Sequence, residues 1–284
     1  MFKVFGFVTK NENLTHDEYR AGHVGYHNSF GRRLNNIRGY TLNVRSNQNI
    51  SEDYISSSLV KEISFNEPID FDNQWNGYGQ LIFNKFEDYI TAKQPALDKA
   101  GPNGLELDEM VAKVGGDFEH LYSGSPFQFN VNESIIVPVM RPEHKLFKVI
   151  QFVKKNEVLP EILFNSYLKG TYSEALSKMD GLRGLIINQR TSLDVITNFF
   201  NPESECFSKD GVLRRERFYE NWDILIEYWF NNSDCFFSSR FSKNLLSFTK
   251  KFEEKYLKSS FYKEVDETVA VIPKRGISPD YYFR

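Results

Sequence analysis

Hydrophobic residues near the start of the chain alternate in a way that leaves no polar face. In residues 2–9, Phe2 and Val4 lie on one face of the predicted strand, while Phe5 and Phe7 lie on the other. A strand with two apolar faces belongs to a sheet that is covered on both sides. The segment therefore predicts a central strand of a layered domain.

The same pattern occurs a second time. Residues 2–12 return as residues 147–157, at an offset of 145, and the alignment stays ungapped as far as Arg45 and Arg190. Solenoid repeats are roughly 20–50 residues long, so a repeat of this size indicates a duplicated domain. The predicted units are a first repeat (1–139), a linker (140–146), a second repeat (147–273) and a C-terminal tail (274–284).

A helix follows the first strand of each repeat. Thr15 and Glu18 have the spacing of a capping box, which predicts a helix start at about Thr15. The second copy opens its helix with Pro160 at a first-turn position. One apolar stripe runs along the first helix: Tyr19, Tyr26, Phe30 and Leu34.

The remaining elements complete a β-α-β-β-α-β order in each copy. Strands are predicted at 39–45, 78–83 and 134–137 and again at 184–190, 224–230 and 268–271, with second helices at about 106–122 and 239–257. This order is that of the split βαβ unit, an antiparallel sheet with helices on one face. The bare sheet face must be buried. The predicted fold class is α+β, with two ferredoxin-like βαββαβ repeats packed sheet to sheet as an intramolecular pseudo-dimeric α+β barrel.

The composition limits the classes of protein to which this chain can belong. The chain has 284 residues, of which 40% are hydrophobic and 15% aromatic, including 26 Phe and 15 Tyr. Aromatic interiors often line pockets for apolar ligands, although a simple Phe-rich core is the favoured explanation here. A net charge of −3 with interspersed signs argues against a nucleic-acid partner. Cys206 and Cys235 read as reduced thiols of a cytoplasmic protein, and no segment predicts a membrane span.

Several residues of the first copy resemble the start of an EthD domain. The segment Leu14–Tyr19 is followed by His27, by Leu34 and by the run Arg38, Gly39 and Tyr40. The EthD family belongs to the dimeric α+β barrel superfamily, whose members usually pair as homodimers, and this chain resembles such a dimer in fused form. The resemblance implies a small organic substrate in a cleft between sheet and helices, without choosing the reaction.

Three histidines of the first helix are the candidates for chemistry. His16, His23 and His27 fall on similar directions of a helix, and the last two are i, i+4 neighbours. Such a pair can bind a metal ion, but no HExxH or CxxC pattern accompanies it, so no metal is predicted. The other readings are acid–base chemistry, for which the pKa of histidine is suited, and a structural role.

The second copy helps to separate these readings. Leu168 stands opposite His23, which suggests core packing, while Tyr172 stands opposite His27 and keeps a hydrogen-bonding group there. The predicted catalytic residues are therefore His27, His23 and Tyr172. The predicted substrate-binding residues are aromatic: Tyr26, Tyr40, Trp75, Tyr78 and Trp222.

These candidates predict an enzyme without a cofactor. Its substrate would be a small hydrophobic, aromatic or polyketide-like metabolite, on which His27 moves a proton during cyclisation, isomerisation or dehydration. The alternatives are a cofactor-free monooxygenase and a non-catalytic small-molecule carrier. No nucleic-acid or membrane partner is expected, and the chain should act as a fused pseudo-dimer, with further homodimerisation left open.

Overall fold

Eight antiparallel strands of the described residues close into one barrel, in the order β1-β3-β2-β8-β5-β7-β6-β4. The computed structural model describes residues 1–47, 54–92, 118–197, 199–200 and 202–273. The strands are β1 (Phe2–Val8), β2 (Gly39–Arg45), β3 (Gly77–Phe83), β4 (Phe127–Val137), β5 (Phe147–Lys155), β6 (Leu182–Arg190), β7 (Ile224–Phe230) and β8 (Leu257–Val271).

The barrel consists of two sheets that meet at their edges. Strands β4, β1, β3 and β2 are neighbours in that order, and so are β8, β5, β7 and β6. Antiparallel pairing of β2 with β8 and of β4 with β6 joins the two sets. The predicted α+β class is confirmed, and the inner faces of both sheets line one common interior.

Helices cover the outside of the barrel. A π-helical turn at Gly22–His27 joins α1 to α2, and another at Leu168–Tyr172 joins α6 to α7. No helix in the described ranges has the length and apolar character that a membrane span requires. The helices are α1 (His16–Ala21), α2 (Asn28–Gly31), α3 (Tyr54–Glu62), α4 (Phe86–Ile90), α5 (Phe118–Leu121), α6 (Glu161–Tyr167), α7 (Ser173–Ser177), α8 (Lys209–Glu220), α9 (Ser233–Arg240) and α10 (Lys243–Tyr256).

Local signals in the sequence predicted element positions well. Thr15 is the N-cap of α1, where its hydroxyl accepts from the Glu18 amide and the Glu18 carboxylate accepts from the Thr15 amide. Pro160 lies at the N-cap of α6, one position before the first turn where we placed it. Strands β4 and β8 are longer than predicted. Most of the predicted helix at 106–122, and the tail at 274–284, lie outside the described residues.

Two aromatic side chains from the segments before β3 and β7 pack into the aromatic cluster inside the barrel. Phe71 precedes β3, Phe218 precedes β7, and their rings stack with centroids 5.5 Å apart at an interplanar angle of 9°. Each packs on an inward-facing strand residue, Phe71 on Phe152 and Phe218 on Phe7. Buried rings therefore anchor both segments to the barrel.

Candidate active site

The first helix lies on the outer face of the barrel and places its histidines beside the sheet. Tyr19 of α1 is fully buried against Val8 of β1 and Val44 of β2. The π-helical turn that follows carries both His23 and His27. Such turns are rare and frequently occur at functional sites.

Three aromatic side chains form a stack, and a fourth meets the stack edge-on. The rings of Tyr19 and His23 lie 5.4 Å apart at 17°, and those of His23 and His27 lie 5.5 Å apart at 7°. Tyr122 meets the rings of His23 and His27 edge-on, at 84° and 89°. We call Tyr19, His23, His27 and Tyr122 the histidine ladder.

The chain brings Tyr122 to the ladder by anchoring it next to β1. Tyr122 bridges to Lys10, and the amide of Asn11 donates to the carbonyl of Leu121. Leu121 packs so closely on the π-helical turn that a Cβ atom at Gly22 would lie 2.2 Å from its side chain. A glycine at this position therefore allows the approach that sets Tyr122 edge-on to both imidazoles.

His23 is the buried imidazole of the ladder. Its Nδ1 and the hydroxyl of Tyr122 form a hydrogen bond of 2.6 Å, while its Nε2 is buried without a partner. Burial, and secondarily the neighbouring His27, hold the pKa of His23 well below its usual value. The ring is therefore neutral near pH 7, and it presents one unsatisfied nitrogen inside the protein.

His27 is the partly exposed imidazole. It lies in the last position of the π-helical turn, and the neighbouring Tyr26 is 51% exposed. His16 lies in the first turn of α1, where burial lowers its pKa. The accessible end of the ladder is therefore His27, the residue that the sequence selected for proton transfer.

The equivalent place in the second half is filled by a satisfied polar network. The hydroxyl of Tyr172 donates to Glu253 at 2.8 Å and accepts from Gln151 at 3.2 Å. Arg240 donates to both oxygens of Glu253, at 3.0 and 3.1 Å. Tyr172 is fully buried, and burial together with Glu253 raises its pKa. Leu168 packs in the same core.

The predicted substrate-binding residues are not brought together. Trp75, Tyr78 and Trp222 are fully buried in the aromatic cluster inside the barrel, whereas the ladder lies on the outer face of the sheet. Tyr40 is buried on the outer face, against Gly31 of α2, and Tyr26 points towards solvent. Alternation in a strand with two apolar faces did not reveal which face each aromatic side chain takes.

Tyr19 and Tyr122 are ladder residues that sequence reasoning did not assign to the site. Tyr19 was predicted as part of the apolar stripe, and its hydroxyl is buried without a partner. Tyr122 lies in the region before β4, about 100 residues from the histidines it touches. Only one sequence feature pointed to these residues. The capping box sets the register of α1 and so places Tyr19 on the side of the helix that packs on the sheet.

Repeated arginines hold the turns before β3 and β7. Arg45 donates to the carbonyl oxygens of Asp72 and Trp75, at 2.8 and 3.2 Å. Arg190 donates to the carbonyl oxygens of Tyr219 and Trp222, at 2.9 and 3.1 Å. Both guanidinium groups therefore position a backbone turn.

Two grooves lie away from the ladder. A groove of about 540 Å³ lies in the helical layer of the second half and includes Met179 and Phe248. Another of about 590 Å³ lies between the two halves, where Ile63 and Phe65 face Arg240 and Glu253. Within the part of the chain that the structure describes, no three or more His, Cys, Asp or Glu side chains gather as a metal site would require.

Comparison with known proteins reveals a shared fold. No protein-family model and no curated protein matches the chain. It is similar in structure to a putative monooxygenase from Fusobacterium nucleatum, with a TM-score of 0.53 and 7% identity over 97% of this chain and 95% of that one. It is also similar to an anthrone oxidase-like protein, with a TM-score of 0.50 and 8% identity over 98% of this chain and 96% of that one.

The likeness is one of fold. An EthD family protein from Bacillus halodurans is also among the similar structures, with a TM-score of 0.26 and 12% identity over 41% of this chain and 95% of that one. The two longer matches show a likeness in fold over nearly the whole chain, whose own structure is the closed eight-stranded α+β barrel.

Proposed function

We propose that this protein is a cofactor-independent enzyme that moves a proton on a small aromatic or polyketide-like metabolite. The site is a cleft between sheet and helices in the first half, and the reaction is a cyclisation, isomerisation or dehydration. The observation that carries the proposal is the histidine ladder, in which a partly exposed imidazole stacks on a buried, neutral one. His27 is the general base or acid.

The neighbours of His27 suit that role. His23 stays uncharged near pH 7, so the ladder places a neutral ring against His27. The hydrogen bond to Tyr122 fixes the orientation of His23, and the edge of Tyr122 also bounds His27. A planar substrate that packs beside these rings would be oriented towards the imidazole of His27.

The chain is, in this proposal, a fused pair of ferredoxin-like repeats with one working site. The two sets of strands share the same order, and both first helices contain a π-helical turn. Tyr172 and Gln151 satisfy each other and Glu253 where the first half carries its imidazoles. The second half therefore serves as the packed partner of the first.

Cofactor-free oxygenation is the second candidate. His27 would take the proton of an electron-rich phenol, and the resulting phenolate would react with dioxygen. What favours this candidate is that two structural neighbours over nearly the whole chain are named as a putative monooxygenase and as an anthrone oxidase-like protein. A carrier without chemistry would use the same surface to bind ligand and would form no product.

The test combines turnover with binding for one pair of variants. Purified protein is offered a panel of polycyclic phenols and polyketide-type ketones, anthrone included, and products are identified by mass spectrometry. His27→Gln should lower turnover roughly 10²–10⁴-fold while ligand affinity changes little. His144→Gln, the same change at an exposed histidine away from the ladder, is the matched control and should keep turnover.

The remaining outcomes separate the candidates. Oxygen uptake and label from ¹⁸O₂ in the product would support oxygenation, and product without oxygen uptake would support proton transfer alone. Full turnover by His27→Gln would overturn the role of His27. Ligand binding without any product across the panel would instead identify a carrier.

A further inference from the structure

A cluster of buried charges lies inside the barrel, apart from the ladder. The ammonium group of Lys3 donates to Glu133 at 2.8 Å, to Asn188 at 2.9 Å and to Glu227 at 3.1 Å. Lys3 lies in β1, at 2% exposure, whereas Asn188 and Glu227 belong to the second half. Its charge is therefore neutralised by side chains from both halves.

Lys148 repeats this arrangement from the opposite side. Its ammonium group donates to Asn43 at 2.8 Å and to Glu267 at 3.0 Å, and it lies 2.7 Å from Glu227. Lys148 and Lys3 are separated by the repeat offset of 145, as are Asn188 and Asn43. Each lysine thus contacts a glutamate near the end of its own half and an asparagine from the other half.

The two-fold arrangement is broken at its centre by one pair of residues. Gln80 of β3 pairs in register with Phe5, and Glu227 of β7 pairs with Ile150, which is the counterpart of Phe5 at the repeat offset. Gln80 and Glu227 therefore occupy equivalent places. The amide of Gln80 donates to the carboxylate of Glu227, which both lysines also contact.

We infer that the contact between Gln80 and Glu227 specifies the pairing of the two halves. Each half pairs with the other half in preference to a copy of itself. Two second halves would bring two Glu227 carboxylates into contact, and like charges in a buried site cannot both ionise without a large penalty. Two first halves would place two amides there and leave both lysines without the shared carboxylate. The mixed pair alone gives one carboxylate to two lysines.

The consequence concerns assembly. A chain built from two similar halves can pair like with like between molecules, which yields open or misassembled oligomers. A buried polar contact that is satisfied in one pairing and unsatisfied in the others is an established way to specify a partner. The contact between Gln80 and Glu227 therefore favours the closed barrel within one chain.

The experiment moves the carboxylate across the pseudo-two-fold axis. Glu227→Gln removes it, Gln80→Glu adds a second one, and the double variant Gln80→Glu/Glu227→Gln exchanges the two groups. Urea unfolding is measured for the full chain at pH 8 and pH 6. The matched control is Gln128→Glu/Glu227→Gln, which has the same composition but puts the carboxylate at Gln128, a buried residue that donates to Tyr89.

The expected results follow from the geometry. Glu227→Gln should lower the folding equilibrium constant roughly 10²–10³-fold, because both buried ammonium groups lose the carboxylate that they share. Gln80→Glu should cost most at pH 8 and less at pH 6, where the two carboxylates share a proton. The exchange variant should return to within roughly tenfold of the parent protein, and the Gln128 control should not.

Two results would overturn the inference. One is an exchange variant as unstable as the two single changes combined, because the places would then not be equivalent. The other comes from light scattering at increasing protein concentration. Glu227→Gln should form more intermolecular assemblies than the parent, and the exchange variant should not, so equal association of all variants would remove the pairing role.

Discussion

Lys148 of the second half donates to the side-chain oxygen of Asn43 in the first half, at 2.8 Å and fully inside the barrel. The ammonium group also lies 4.5 Å from the centre of the Trp229 ring. Burial of a lysine is tolerated only when its charge is paired and its protons are bound. The polar interior therefore links the two halves as specifically as the aromatic cluster does.

Replacing Lys148 should be among the most damaging single changes in the chain. Lys148→Met leaves Glu227 and Glu267 with one positive neighbour fewer in a buried site, so we expect a loss of about 3–5 kcal/mol in the free energy of unfolding. Urea denaturation at pH 7 measures it. Lys178→Met is the control, because Lys178 and its partner Glu174 are 70% and 67% exposed, and an exposed ion pair contributes about 0–1 kcal/mol. Similar losses in both variants would contradict this account.

The buried imidazole of the ladder should make stability depend on pH. Because the folded-state pKa of His23 is lowered, the unfolded chain takes up the proton first, and stability present at pH 7 is lost as the pH falls through the unfolded value of about 6.5. His23→Leu introduces the residue type that stands at the equivalent position, Leu168. This change should reduce the slope of the free energy of unfolding against pH between pH 7 and pH 5. His144→Leu, at an exposed histidine, controls for the substitution itself. An unchanged slope in His23→Leu would show that burial does not govern this titration.

The stacked rings of Phe71 and Phe218 should contribute strongly to stability. Phe71→Ala removes a fully buried ring from the aromatic cluster and leaves a cavity, so the free energy of unfolding should fall by about 3–5 kcal/mol. Phe248→Ala, at a side chain that is 39% exposed, is the comparison and should cost far less. Thermal unfolding followed by near-ultraviolet circular dichroism reports both the loss and any loosening of the aromatic cluster. Equal losses of stability in the two variants would mean that Phe71 is no more important to the fold than an exposed ring.

A glycine beside the ladder should resist substitution. A Cβ atom at Gly77 would lie 2.3 Å from the hydroxyl of Tyr19 and 2.6 Å from the carbonyl oxygen of Asn43. Gly77→Ala should therefore destabilise the fold by about 1–3 kcal/mol. Tyr19→Phe, which removes a buried hydroxyl without a partner, should be close to neutral alone and should relieve part of the clash in the double variant. Additive costs in the double variant would contradict the geometry.

The sequence predicted what depends on neighbours along the chain. The capping box at Thr15 and the strand at Ile224–Phe230 were placed correctly, because side-chain spacing alone specifies them. Trp75 and Trp222 were predicted to line the cleft beside the helices, but both face the barrel interior. When both faces of a strand are apolar, alternation does not determine which face meets the helices.

Residues that act through distant partners escaped prediction altogether. Tyr122 reaches His23 only because the segment before β4 is anchored beside β1. In the sequence, Gln80 and Glu227 are ordinary polar residues of strands. Their hydrogen bond is seen only when both halves are assembled. The repeat offset of 145 aligns Lys3 with Lys148, yet the sequence does not show that each donates to an asparagine of the opposite half.

The stacked rings of Phe71 and Phe218 join a segment of the first half to a segment of the second. Phe71 packs on Phe152 of the second half, and Phe218 packs on Phe7 of the first. Each segment thus covers a strand of the opposite half, so the two halves cannot separate without breaking both contacts.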